Sequence, residues 1–242
     1  MKRSLKEFTK NSWQTIEPGR DFFDNWHIDA ISEHLQAVVE GDIKRLIINI
    51  PPRHMKSISV AVTMPAWTWT IQPQKRFLFA SYASSLSVRD SVKCRRLIDS
   101  QWYKQHFGQS FELTSDQNQK QRFENNKTGY RIATSVDGAL TGEGGDIIVI
   151  DDPHNVREAE SSAVRESVLE WWDQHSTSPT QEQKKVNCSG QRGLMKRLYQ
   201  TLRGRWAHTH QQVSCSKDLC LKVAEYCELS GGCHGNTKTS QT

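Results

Sequence analysis

Two segments, Arg45–Ser57 and Gly144–Pro153, constrain this chain more than any other feature. The first reads RLIINIPPRHMKS and the second GGDIIVIDDP. Each is an apolar run of strand type that stops abruptly in polar chemistry. The first stops in a loop carrying Lys56 and Ser57, the second in the adjacent carboxylates Asp151 and Asp152. A strand, a Lys-Ser loop and a later strand ending in Asp form the skeleton of a nucleotide triphosphatase. The ordered pair is far more specific than either half.

The loop departs from the pattern GxxxxGK[ST], because Ile50 and Met55 stand where the two glycines would be. The mechanism asks for a tight turn that aims backbone N–H groups at phosphates, with Lys56 reaching the β- and γ-phosphates. Ser57 then ligates Mg²⁺ and opens a helix whose N-terminus favours anions. Pro51 and Pro52 stiffen the turn that glycine usually bends. At the second segment, Asp151 is assigned to the metal and Asp152 to orienting the attacking water. The plain alternatives are a strand-to-helix loop with an exposed lysine, and strand-end aspartates that cap the turn at Pro153. His154 reads as a turn histidine. The glycines Gly138, Gly142, Gly144 and Gly145 read as turn residues before the second strand.

Around these segments the chain alternates helical stripes and apolar runs. Helices are expected at His27–Glu40, with Gly41 as stop, at Ser57 to about Thr70 with Pro65 as an interruption, at Ser84–Ser100 and at Val156–Trp172. Strands are expected at Leu46–Ile50, Phe77–Ala80, Tyr130–Thr134 and Ile147–Ile150. Uninterrupted apolar strands between helices imply an α/β fold with a parallel sheet buried on both faces. Trp67, Trp69, Trp171 and Trp172 read as packing residues.

The chain changes character near residue 174. The net charge of +5 is uneven: residues 1–174 carry 22 Lys/Arg against 23 Asp/Glu, and residues 175–242 carry 10 against 4. The basic balance belongs to the tail and does not by itself mark the motif-bearing part as a nucleic-acid binder. Five of the six cysteines also follow residue 175: Cys188, Cys215, Cys220, Cys227 and Cys233. Their gaps fit a structural zinc site poorly. The expected division is therefore an ATPase part at 1–174 and a divergent basic tail at 175–242. The tail is expected to be disordered or poorly packed, as a shifted reading frame would make it, with a true domain boundary as the alternative and no strand of convincing quality after Gln174. No apolar run approaches the roughly 18 residues needed to span a bilayer. The charged N-terminus has no apolar core of a signal peptide, so no membrane role and a cytoplasmic location are expected.

The segments RLIINIPPRHMKS, FLFASYASSLSVRDS, SQWYKQHFG, YRIATSVDGALTGEGGDIIVIDDPHN and VLEWWDQ together resemble the large terminase subunit of tailed bacteriophages and prophages. The resemblance runs from about residue 20 to residue 174. It implies an ATPase of the additional-strand P-loop class, with a mostly parallel sheet and flanking helices, using ATP and Mg²⁺. Lys56 and Ser57 match the phosphate and metal residues, and Arg53 matches the loop arginine, a candidate sensor or finger. His54 and Met55 complete the matching loop. Asp151 and Asp152 match the acidic pair, where many relatives have Glu second. Trp26 and His27 fall in a region that packs near the adenine; an aromatic staple at a helix start is the alternative. The implied partners are double-stranded DNA, a portal protein, a small terminase subunit and further copies in a ring, inside the bacterial host cell.

Relatives continue past the WWDQ region into another core strand, a coupling motif and a nuclease. Here the pattern dissolves in HSTSPTQEQKK and the acidic cluster of a nuclease is not matched. The sheet is therefore expected to be incomplete on its C-terminal side, with low or no turnover. A prophage remnant without turnover is one alternative. A helicase-like ATPase is another, and it requires a second motor domain.

Overall fold

The computed structural model describes residues 4–136, 138, 143–155, 161–176, 184–189, 207–211 and 222–227. In chain order the elements are α1 (Leu5–Ile16), α2 (Trp26–Glu40), β1 (Arg45–Asn49), a π-helix (Ile58–Thr63), α3 (Met64–Ile71) and β2 (Phe77–Ser81). There follow α4 (Ser84–Asp99), α5 (Gln101–Phe107), β3 (Leu113–Asn118), β4 (Arg122–Asn125), β5 (Tyr130–Ser135), β6 (Ile147–Asp151) and α6 (Ser162–Ser176). The last three are β7 (Lys184–Ser189), β8 (Ala207–Gln211) and β9 (Lys222–Cys227). All nine strands form one sheet in the order β3-β4-β5-β2-β6-β7-β1-β9-β8.

The middle five strands, β5, β2, β6, β7 and β1, are mutually parallel. Antiparallel strands close both edges, β4 and β3 on one side and β9 and β8 on the other. Successive side chains of β2 and β6 serve opposite faces. Phe77, Phe79, Ile147 and Val149 join one core, with residues of α1 to α5 and of the π-helix. Leu78, Ala80, Ile148 and Ile150 join the other, against Val168 and Trp171 of α6. Two buried faces explain why these strands read as unbroken apolar runs rather than alternating ones.

Local signals set the helix ends. Ser4 caps α1 by accepting the N–H of Glu7, and Leu5, Phe8 and Trp13 bury the stripe that follows. The stop of α2 at Gly41 is as its sequence implies, with φ at 105°, a left-handed turn that a side chain would strain. Trp69 closes the core beneath: its indole donates to the Lys75 carbonyl, and its ring meets Phe111 and Phe123 edge-on.

The mostly parallel sheet with flanking helices matches the sequence reading. The expected end of the sheet after Gln174 does not, because β7 lies between β6 and β1 and pairs in parallel with both. Without it those two edges would face each other across an empty lane, with backbone donors and acceptors unmatched. Its sequence, KKVNCS, has no apolar run, so hydropathy gave no sign of a central strand. The expected helix from Val156 begins at Ser162, and residues 156–160 lie outside the described residues. Gly142, Cys215, Cys220, Cys233 and the segment 177–183 also lie outside them.

Candidate functional site

The site lies at the C-terminal ends of β1 and β6, the edge where open parallel sheets place ligands. β1 feeds the loop from Ile50 to Ser57. Arg53 (φ 67°) and Met55 (φ 62°) adopt the left-handed region, which residues other than glycine rarely enter. Met55 thus holds the conformation for which glycine is expected at that position, whereas Ile50 has no such φ and is instead buried in the core. Pro51 and Pro52 lack N–H groups, but Arg53 to Ser57 keep theirs. A left-handed Met55 directly ahead of a helix that opens at Lys56 is a backbone setting in which an anion-binding nest can form.

His54 fixes the start of this turn. Its Nδ1 lies 3.1 Å from the Pro51 carbonyl and 2.8 Å from the Pro52 carbonyl. Carbonyls only accept, so Nδ1 carries the proton. The His27 ring, buried at the start of α2, meets His54 edge-on with centroids 5.6 Å apart. Burial, and then the neighbouring His54, lower the pKa of His27, while Asp29 opposes them. Trp26 packs partly buried against the core beside it.

Lys56 points from the loop to the end of β6. Its side chain is 7% exposed, and Nζ lies 2.8 Å from Oδ1 of Asp151 and 2.8 Å from Oδ1 of Asp152. One ammonium is thus held between two carboxylates from a segment almost a hundred residues away. Burial pushes the Asp151 carboxyl above its ordinary range and Asp152 adds to this, while Lys56 and the Ser57 hydroxyl pull it back. Asp152 is the more open of the two. Its φ of 49° is again left-handed, and its carbonyl accepts the Tyr82 N–H from the end of β2 at 3.1 Å. Three of the four non-glycine residues with positive φ among the described residues therefore sit in this site, where backbone strain commonly collects.

The arrangement suits a divalent cation with a polyphosphate. The buried Asp151 carboxylate is met by the Lys56 ammonium, 2.8 Å from Oδ1. Ser57 hydrogen-bonds to the same carboxylate. Hard oxygen donors such as these are what Mg²⁺ takes.

Lys56, Ser57, Asp151 and Asp152 therefore come together as the sequence places them, with His54, His27 and Trp26 along one flank. Arg53 is exposed on the loop, and the structure gives it no contact with the carboxylates. Sequence reading missed Arg89, early in α4. Its guanidinium forks onto Asp90 through Nε at 2.8 Å and Nη2 at 3.0 Å. Its pKa is raised first by Asp90 and then by Asp151 and Asp152. The available signal was position: α4 starts right after β2, at the same sheet edge as the site.

No protein-family model matches the chain, and no curated protein matches it. Solved structures do. The large terminase of bacteriophage HK97 is 12% identical with a TM-score of 0.49, over 77% of this chain and 38% of that one. An arginine-to-alanine mutant of the Thermus phage P74-26 large terminase ATPase domain is 13% identical with a TM-score of 0.41, over 66% and 65%. The large terminase of a thermophilic bacteriophage, in complex with ADP, is 12% identical with a TM-score of 0.39, over 75% and 38%. The chain thus spans 38% of the length of the HK97 protein. Among the described residues no helix is long and apolar enough to cross a membrane.

Proposed function

We propose that this chain is the ATP-binding and ATP-hydrolysing motor part of a phage terminase large subunit. The observation that carries the ATPase reading is the single ammonium of Lys56 held at 2.8 Å by both Asp151 and Asp152. It joins a nest-forming loop to the acid pair of another strand, and β7 lies between the two strands that supply them. The terminase reading rests on the sequence resemblance. The partners it brings are double-stranded DNA, a portal protein, a small terminase subunit and further copies in a ring.

In this reading the nest at Arg53 to Ser57 receives the phosphates. Lys56 exchanges its two carboxylates for phosphate oxygens, a move of one flexible side chain. Ser57 and Asp151 hold Mg²⁺, which neutralises charge on the phosphates when bound. Asp152, released from Lys56 and still partly open to solvent, orients water and accepts its proton. Arg53, exposed on the loop, is placed to meet charge that develops on the outer phosphate. His27 and Trp26 border the loop on the side where a base would lie.

The test is calorimetric titration of the full chain with ATP, with and without Mg²⁺, beside the Lys56→Ala variant. Binding that depends on Mg²⁺ and on Lys56 is expected. Equal affinity in the two proteins would remove the site assignment.

A further inference from the structure

The helix that begins at Lys56 and Ser57 changes its winding within a turn. It continues as the π-helix Ile58–Thr63, closed by the Met64 N–H bonding to the Ser59 carbonyl five residues back, and α3 resumes at Met64. The sequence contains a reason. Pro65 has no N–H, so the Ala61 carbonyl four residues earlier loses its α-helical donor. A different element makes up the loss. Arg131, in β5, donates from Nη2 to the Ala61 carbonyl at 3.0 Å.

Arg131 is a peculiar residue to find there. It is 0% exposed, on the helix-covered face of the sheet. Its guanidinium carbon lies 4.1 Å from the centroid of the Phe79 ring. Nε and Nη1 are buried and have no hydrogen-bond acceptor. Burying a guanidinium with donors unused is costly, and an apolar side chain of similar volume often serves stability as well or better. Asp90, the nearby acid of α4, is already forked by Arg89. Stability alone therefore gives no account of an arginine at this place, whereas the Ala61 carbonyl does.

We propose that Arg131 is a positioning residue of the phosphate loop: it supplies the donor that Pro65 withholds, fixes the π-helical turn, and so sets the direction in which Lys56 and Ser57 leave their helix. The same side chain packs on Phe79 of β2. That strand leads to Tyr82, whose N–H holds the Asp152 carbonyl. Arg131 thus touches the supports of both halves of the site while touching neither half. The proposal rests on the loop being a nucleotide site for its functional consequence, but not for its structural one.

The experiment compares wild type, Arg131→Met, Pro65→Ala and the double variant in the full chain. Two readouts are used: amide hydrogen exchange across residues 56–64, and calorimetric titration with Mg²⁺ and ATP. Arg131→Met keeps length and removes every donor. It is expected to fold, to exchange at least tenfold faster over residues 58–63, and to bind ATP about tenfold more weakly. Pro65→Ala returns the missing N–H, so in its background Arg131→Met is expected to change neither readout. Unaltered exchange in Arg131→Met would overturn the proposal, as would fast exchange with wild-type affinity. Should Arg131→Met fail to fold, the double variant decides: folding with wild-type exchange supports the proposal, and failure to fold overturns it. If wild type binds no ATP, the nucleotide reading falls, and exchange in the four proteins still decides whether Arg131 holds the helix.

Discussion

At the scale of single residues, one cation serves two carboxylates, and each partner has a separable consequence. Removing Lys56 leaves Asp151 buried without its countercharge and takes away the phosphate contact. Lys56→Ala is expected to lower ATP affinity by at least about tenfold, or about 1.4 kcal/mol. Asp152→Asn keeps shape and loses the anionic acceptor. It should leave binding within about twofold and reduce steady-state turnover by about 10²–10⁴-fold. Wild-type turnover in that variant would mean that another group orients the water. Asp151→Asn should weaken Mg²⁺-dependent binding as well, because it removes a metal oxygen rather than the water's acceptor. His27 makes a prediction about pH. Its folded pKa lies below the ordinary value of about 6.5 through burial and the neighbouring His54. Between the folded and unfolded values the unfolded chain holds the proton and the native chain does not, so stability falls as pH drops through about 6.5. His27→Phe should flatten the slope of melting temperature against pH below about 6.5. An unchanged slope would show that other groups set it.

At the scale of elements, burial also shields the thiol of Cys94. Desolvation pushes it up to about 11, and α4 packs it beneath the surface with no exposure. Alkylation by iodoacetamide at neutral pH should therefore reach Cys94 only after denaturant is added, as read by mass spectrometry of its peptide. Rapid labelling of the native chain would mean that α4 does not pack as described. How legible each element was follows from what holds it. β1, β2 and β6 were readable because both of their faces are buried and each carries an unbroken apolar run of three or more residues. α2 and α4 were readable from their apolar stripes. α1 carried a signal that went unused: Ser4 and Glu7 stand three apart at the head of a helix whose stripe is Leu5, Phe8 and Trp13. β3 is a polar, largely exposed edge strand, LTSDQN, and β4, RFEN, has Phe123 as its single apolar residue, so neither leaves much hydrophobic pattern. The proline in the helix after the loop was legible as an interruption. Its answer was not, since the Arg131 that replaces its N–H is 70 residues from Ala61. In the site itself the ion-pairing residues were legible from motif order. The left-handed Met55 was not, because nothing in a methionine announces a positive φ.

At the scale of the whole molecule, the main question is what the chain after α6 contributes. Composition alone argues for a tail with no part in the sheet. A segment with few apolar residues gains little to offset an ordering cost of roughly 1–2 kcal/mol per residue. The backbone argues otherwise for one stretch. β7 pairs over five registers with β1 and five with β6, so it gains from two ladders and leaves neither neighbour exposed. A central strand can therefore be weakly apolar and still be held, since the strands on either side supply its hydrogen bonds. Two expectations follow. Amides of residues 184–189 should exchange about as slowly as those of β6 and well below the rate of an unstructured peptide. A chain cut after Ser176 should be worse than one missing a mere appendage. It would leave β1 and β6 with unpaired edges facing one lane inside the sheet, which invites strand addition from another molecule. Its melting should broaden or vanish, and it should aggregate at concentrations where the full chain stays monodisperse by light scattering. Restoring residues 177–190 alone should recover more of the cooperative transition than adding an unrelated linker of equal length. If the cut chain melts cooperatively at the wild-type temperature, β7 is not an integral strand of the sheet. The unit that builds the Lys56, Asp151 and Asp152 site would then end with α6.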